Sequence, residues 1–353
     1  MRQFGGWLGA LCLMLALGAC APRTDSGVYV LRYASNYPPG HPFSRADITW
    51  MQAVEKASNG RIHIQPFWGG SLIRNDNSVI ALRHGVADVA LITPIYMRSG
   101  MQAVKTQTGF YSGARTVEEQ VRVYRCLEQE FPVFDQELWG VKVLAVQGGN
   151  LPNVLTRNRP VHDLADLRGL RLRAPDETAP VLRQLGVDPV TMPMGDVYSA
   201  MSKGVIDGVV APADALKSMH FTEVGHYMNL LVVDRGAYPA RAISDQAWKR
   251  LPPDLQQVLV AQTPVWEAAL AKEVTGAEQA GIETGQVHKT VFVPFGAADQ
   301  ATYDATAKTV SMQGAQALRR YGVDGPAIFN RAQAIIAADA AGKPAGCPAA
   351  KPA

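Results

Sequence analysis

The chain has 353 residues, 47% of them hydrophobic, enough to bury one or two sizeable cores, so about two domains are expected. Charged residues make up 18%, below the usual share of roughly a quarter. The 34 basic and 31 acidic groups leave a net +3 with no long run of Lys or Arg, so a polyanion-binding surface is not indicated and no nucleic-acid partner is expected.

The first twenty residues read as an export signal. Arg2 supplies a positive start, Trp7 to Leu17 an apolar run, and Leu17-Gly-Ala-Cys20 a small-residue cleavage site ending in Cys. The alternative, a transmembrane anchor, needs about 20 apolar residues, and this run is shorter. The pattern is similar to a bacterial lipoprotein signal. That likeness implies that 1–19 is removed, that Cys20 is lipidated and becomes the mature terminus, and that 20–27 is a polar tether. The protein is then periplasmic and held by lipid to a membrane of the cell envelope. Cys12 leaves with the signal, so Cys126 and Cys347 are the cysteines of the mature fold. An oxidising periplasm lets them pair, which staples the Ala/Pro/Gly-rich flexible tail 341–353 to the helix beginning at Thr116. The alternative is a buried thiol at Cys126 and a free one at Cys347.

Val28 to Ala34 is the first expected strand. The turn-rich Asn36-Tyr-Pro-Pro-Gly-His-Pro42 opens onto a helix from about Ser44 to Ser58, whose inner face carries Trp50, Met51 and Val54. A strand over Arg61 to Phe67 follows, then a short helix that stops at Gly85, then an apolar run after Asp88. Thr116 and Glu119 form a capping box for a helix to about Glu130. Lys142 to Val146 is the next strand. The second half holds a strand at Leu170 to Arg173, a helix around Thr178 to Leu185, and a strand at Asp188 to Met192. Pro239 to Ser244 crosses back to the first half. One long helix, or two, spans Pro253 to about Gln286, and a final helix near Thr302 to Tyr321 closes the fold.

Ala81-Leu-Arg-His-Gly-Val-Ala-Asp-Val-Ala-Leu-Ile92 returns as Ala200-Met-Ser-Lys-Gly-Val-Ile-Asp-Gly-Val-Val-Ala211. In both copies a helix ends at a Gly suited to a left-handed cap and an Asp leads into a buried strand. A strand also precedes each helix. This predicts a duplicated strand-helix-strand unit, an α/β fold of two lobes and a cleft between them. The competing reading is that Gly-Val-x-Asp is common helix-to-strand punctuation. Lobe I is expected over 28–150 with 240–270, lobe II over 151–239 with 271–300, and C-terminal helices over 301–340.

Val161-His-Asp-Leu-Ala-Asp-Leu-Arg-Gly-Leu-Arg-Leu-Arg-Ala-Pro175 is followed by Leu185-Gly-Val-Asp-Pro189, Asp196-Val-Tyr-Ser-Ala200 and Gly204-Val-Ile-Asp-Gly208. With Asn59-Gly-Arg-Ile62, Gly85-Val-Ala-Asp88 and Trp248-Lys-Arg-Leu-Pro252, this order resembles the DctP-like substrate-binding subunits of tripartite ATP-independent periplasmic (TRAP) transporters. The resemblance implies a two-lobed periplasmic binding protein fold in which a long helix spans both lobes. It also implies a receptor that closes on a small organic anion and hands it to TRAP membrane permease subunits driven by an ion gradient.

The family's best-known ligand contact, an Arg ending the Leu-Lys-x-Arg-type strand, falls on Arg173. A guanidinium presents a planar donor fork to a carboxylate. The alternative is an Arg paired with Asp176 or Asp207, whereas Arg168 and Arg171 are read as solvated. The chain departs from the family at Val210-Ala211-Pro212, where a polar pair is usual, at Asn153, where a basic residue is, and at Met194, where an aromatic is. Asn153, Met194 and Ala211 thereby become candidate ligand contacts. The changes point to a less polar ligand, a monocarboxylate with an apolar or aromatic body. Trp68 and Tyr96, at strand ends, are cleft candidates that serve equally as core or rim, and Tyr238 is another. Asp214 is read as a helix cap in preference to a ligand contact.

No nucleotide-binding glycine motif, zinc-protease motif or nucleophile elbow occurs, and the seven histidines lack metal-ligand spacing tied to Cys. A non-enzymatic protein without metal or cofactor is expected. A lipid-anchored ligand sensor for a membrane signalling partner would use the same cleft and is the alternative function. Replacing Cys20→Ser is expected to release a soluble, unlipidated or unprocessed form. Cell fractionation checks this, and membrane retention equal to wild type counts against the lipid anchor.

Overall fold

The computed structural model describes residues 27–343 and 346–347. The expected signal 1–19, Cys20 and most of the tether lie outside the described residues. The chain begins with β1 (Tyr29–Ala34), α1 (Pro42–Ala57), β2 (Ile62–Phe67), α2 (Ser78–Arg83) and β3 (Val89–Leu91). Then come α3 (Gln102–Thr106), α4 (Val117–Glu130), α5 (Val133–Glu137) and β4 (Val141–Gln147). A first crossing leads to β5 (Asn153–Thr156), β6 (Arg171–Arg173), α6 (Ala179–Gln184), β7 (Asp188–Val190), α7 (Met194–Ser202), β8 (Gly208–Ala211), α8 (Asp214–Ser218) and β9 (Tyr227–Asn229). A second crossing returns through β10 (Tyr238–Ser244) to α9 (Asp245–Arg250), α10 (Pro253–Ala261) and α11 (Thr263–Val287). The chain ends with β11 (Val291–Val293), α12 (Ala297–Ala317) and α13 (Gly325–Ala340).

The strands form two sheets, ordered β2-β1-β3-β10-β4 and β11-β9-β5-β8-β6-β7. In the first, β1 runs parallel to β2 and β3, and β10 is antiparallel to β3 and β4. In the second, β6 is parallel to β7 and β8, and β5 is antiparallel to β8 and β9. This is a mixed α/β, two-lobed architecture.

The repeated phrase builds the same clasp in each sheet. Gly85 and Gly204 both sit at φ +72°, a left-handed conformation that ends the preceding helix and favours glycine. Three residues later, Asp88 Oδ2 accepts from Arg32 N at 2.8 Å and Arg32 Nε at 3.1 Å, while Arg32 Nη2 donates to Gly85 O at 2.8 Å. In the second sheet Asp207 Oδ2 accepts from Arg171 N at 2.9 Å and Nε at 3.0 Å, and Arg171 Nη2 donates to Gly204 O at 2.9 Å. The Arg171 side chain is 42% exposed, in keeping with its reading as solvated, but it is also engaged in this clasp. Its guanidinium ties β6 to the turn before β8.

Helix α11 joins the lobes. Its buried stripe runs Trp266, Leu270, Val274, Ala277, Gly281, Gly285, at helical spacing and with side chains that shrink along the helix. The large members pack into the first lobe's core, where Trp266 stacks on Trp50 with ring centroids 3.8 Å apart. The small ones let α8 come close, since a Cβ on Gly281 would lie 2.1 Å from Ala213 O.

The expected final helix is longer than predicted at its start and is followed by another. Gly322, at φ +74°, ends the first, and Asp324 caps α13 by accepting from Ala327 N at 3.2 Å. The capping box of α4 forms reciprocally, Glu119 N to Thr116 Oγ1 and Thr116 N to Glu119 Oε2, both 3.1 Å. Cys126 of α4 is joined to Cys347 with a Cα–Cα distance of 5.0 Å, within the normal span of a disulfide.

The first lobe buries an ion pair at zero exposure. Arg241 Nε donates to Asp47 Oδ1 at 2.9 Å, and Asp47 also accepts from Trp266 Nε1 at 2.8 Å and Tyr33 Oη at 2.5 Å. Removing one partner strands the other's charge. Asp47→Ala is therefore expected to cost roughly 3–5 kcal/mol, read by urea unfolding. A loss within about 0.5 kcal/mol, as at an ordinary surface site, would contradict the pair's structural role.

Candidate ligand cavity

Parallel strands aim their carboxyl ends at the crevice between the sheets, where α/β folds characteristically place solutes. The residues just past those ends enclose a cavity of about 110 Å³. After β1 come Tyr37, His41 and Phe43; after β3, Thr93, Ile95 and Tyr96; after β6, Pro175, Glu177 and Thr178. Met194 follows β7, and Pro212, Asp214 and Met219 follow β8. Pro152 and the stretch Asp234 to Gly236, on the two crossings, close the back together with Tyr238.

Arg173 ends β6 and is 2% exposed. Its Nε donates to Met192 O at 3.0 Å, and its Nη2 donates to Tyr96 Oη at 2.8 Å, a bond that runs from the second lobe to the first. Nη1 has no protein partner and the guanidinium no ion pair among the described residues. Asp207, one suggested partner, is engaged by Arg171 instead.

Of the sequence-predicted candidates, Arg173, Tyr96, Met194 and Tyr238 line the cavity. Trp68, Asn153 and Ala211 do not. Trp68 turns back into the first lobe and packs edge-on to Tyr33, centroids 5.7 Å apart. The Asn153 amide donates to Leu231 O at 3.0 Å across the crossing. Ala211 points into the second lobe's core with Leu155 and Val209, while its neighbours Val210 and Pro212 reach the cavity. Asp214 also departs from its expected role. Glu278 of α11 accepts from the amides of Ala213 at 3.4 Å and Asp214 at 3.2 Å, which leaves the Asp214 carboxyl facing the cavity.

Sequence reasoning missed the ring cluster and Arg235. Tyr37 stacks on His41 at 4.1 Å, and Phe43 stands edge-on to both at 5.2 and 4.8 Å. The available signal was three rings in and just past a proline-rich loop directly after a strand. For Arg235 it was a charged pair, Asp234-Arg235, within a mostly apolar crossing.

The cavity shifts its own titrating groups. Burial pushes the His41 imidazole down to about 3, with the charges of Arg241 and Arg45 acting the same way. The ring is neutral, and its Nδ1 accepts from Phe43 N at 3.2 Å, so Nε2 carries the proton. Burial pushes Glu177 up to about 6 against the opposing charge of Arg173. It pushes Asp214 up to about 7, opposed by Arg235 and reinforced by Glu278. The space thus offers a fixed cation, neutral rings and acids able to hold a proton.

Residues 33–316 match the family described as bacterial extracellular solute-binding protein, family 7 (DctP). The chain belongs to this family. A curated solute-binding protein of Albidiferax ferrireducens is 25% identical over 59% of this chain and 62% of its own length, so the chain spans less than two thirds of that relative. A TRAP solute-binding protein of Rhodoferax ferrireducens, crystallised with copurified benzoate, superposes with a TM-score of 0.82 at 22% identity over 89% of this chain and 99% of its own. One from Bordetella bronchiseptica, with bound (R)- and (S)-mandelate, gives 0.78 at 22% identity over 88% and 99%. These likenesses show that the family's two-lobed TRAP fold is the fold of this chain. No helix among the described residues is long and apolar enough to cross a membrane.

Asp214 makes the cavity sensitive to pH. Its folded value, about 7, lies above an unfolded value of about 3.9, so the folded state binds the extra proton between them. That contribution to stability is fully present below the unfolded value and is lost as pH rises through the folded one. Asp214→Asn is expected to flatten the fall in ligand-free stability between about pH 4 and 7 and to leave the variant more stable than wild type at higher pH. Denaturant melts across that range check this, and an unchanged slope contradicts it.

Proposed function

We propose that this protein is an extracytoplasmic receptor that closes on a small monocarboxylate with an apolar or aromatic body and delivers it to TRAP permease subunits. The observation that carries the reading is Arg173, a buried guanidinium held by two neutral acceptors with one edge open to the cavity. An incoming carboxylate supplies a directly bonded negative charge and accepts from that edge. Phe43, Ile95, Met194, Val210 and Met219 offer the ligand's body an apolar wall. A volume of about 110 Å³, below the engineered cavity of about 150 Å³ that holds benzene, limits the ligand to a small acid, and a single-ring body requires the lobes to part slightly around it. The benzoate and mandelate complexes of the two structural relatives agree in chemical class. The lipid on Cys20 would keep the receptor near its permease, and the ligand-closed pair of lobes would form the surface that the permease reads.

A thermal-shift panel of benzoate, mandelate, dicarboxylates and sugar acids ranks the ligands, because a bound ligand raises the melting temperature by mass action. Arg173→Ala is expected to weaken the best of them by about thirty-fold or more, corresponding to roughly 2 kcal/mol. Unchanged calorimetric affinity in that variant removes the carboxylate clamp.

A further inference from the structure

Arg235 lies on the second crossing, between β9 and β10, half-buried and lining the same cavity as Arg173. Its one hydrogen bond among the described residues is a long one, Nη1 to Asn150 O at 3.4 Å, and it forms no ion pair among them. The guanidinium lies against Gly149, where a Cβ would sit 2.3 Å from Cζ and 2.6 Å from Nε. Gly149 has no left-handed φ, so the missing side chain serves as room for the arginine. That slot is fixed, because Gln120 grips Gly149 from both sides: Nε2 to Gly149 O at 3.0 Å and Gly149 N to Oε1 at 2.8 Å.

Two groups locate Arg235 relative to Arg173. Tyr37 and Glu177 each lie within electrostatic reach of both guanidiniums, so the two cations address one small space. The acids that feel Arg235, namely Glu177, Asp214 and Glu278, are each pushed up by burial, and none is ion-paired with it. A half-buried guanidinium with one weak bond and no ion pair among the described residues has most of its donor fork unused.

We propose that Arg235 is the second arm of an anion cradle, so that one ligand carboxylate lies between Arg173 of the second-lobe strand and Arg235 of the crossing. The proposal rests on the cavity being a carboxylate site, and it makes Arg235 a residue that determines specificity for single acids. A volume of about 110 Å³ holds one acid group and a small body. The ligand's charge then fastens the second lobe to the segment that connects it to the first.

The test is calorimetry on the full mature protein with benzoate, phenylacetate and succinate as probes, using Arg173→Gln, Arg235→Gln, Arg235→Lys and Gly149→Ala. Arg235→Gln is expected to weaken benzoate binding ten-fold or more, and Arg235→Lys to recover part of that loss. Gly149→Ala is expected to weaken it as well, because the added methyl displaces the guanidinium while every charge stays in place. Wild-type affinity in Arg235→Gln beside a weakened Arg173→Gln overturns the cradle and leaves the carboxylate reading standing. Wild-type affinity in both overturns both, as does the absence of binding of all three probes to the wild type. If succinate binds more tightly than benzoate and Arg235→Gln abolishes that preference, Arg235 holds a second carboxylate and the single-acid cradle is overturned. Should Arg235→Gln not fold, Gly149→Ala decides alone, and wild-type affinity there overturns the proposal.

Discussion

A positive charge taken out of water without a direct ion pair is costly, and the protein keeps Arg173 in that condition, with Glu177 acting on it only through space. Two neutral oxygens, Met192 O and Tyr96 Oη, fix the direction of the guanidinium without cancelling its charge. Orientation is settled before any ligand arrives, and what the open edge of the guanidinium lacks is a directly bonded anionic acceptor. This is preorganisation in the ordinary sense, because less freedom remains to be lost on binding. Tyr96 belongs to the first lobe and Arg173 to the second, so the same bond that aims the cation also reports how near the lobes are.

The rest of the fold supplies that geometry. Each sheet ends its helix-to-strand turn with a left-handed glycine and ties the next Asp to an Arg on the neighbouring parallel strand. With the registers fixed twice by the same device, the carboxyl ends of β1, β3, β6, β7 and β8 open onto one crevice. Helix α11 supports both halves, presenting bulk to one core and bare backbone to the other. In the first lobe the buried Asp47 collects Arg241, Tyr33 and Trp266, which pins α11 to the sheet beside the cavity.

Local punctuation made part of this legible in the amino-acid order. Gly-Val-x-Asp, the Thr116 capping box and the strand bearing Arg173 depend on residues close in sequence, and each appears where periodicity puts it. Side-chain direction at a strand's end is a different matter. Trp68 and Tyr96 both follow first-lobe strands, yet one turns into the core and the other toward Arg173, because packing with Tyr33 decides the first and a hydrogen bond across the cleft decides the second. Ala211 and Val210 differ only by the alternation of a strand. Arg235, Tyr37 and His41 lie on irregular segments, where no period carries information, and Phe43 sits in the first turn of α1, before the helical period is established. The Arg241 and Asp47 partnership joins positions 194 residues apart, which pattern reading cannot pair.

The covalent link between α4 and the tail sets an order of events during biogenesis. Its two sulfurs are separated by 221 positions, so everything from α5 to α13 must be made before the bond can close. A chain kept in a reducing cytosol would retain both thiols. Preparations made in that compartment would lack a cross-link whose long loop restricts the denatured ensemble by an amount worth several kcal/mol, about 4.7 for a 100-residue loop in the chain-entropy picture. Where the protein is produced, as well as what it is made of, therefore governs how firmly its last helix stays in place.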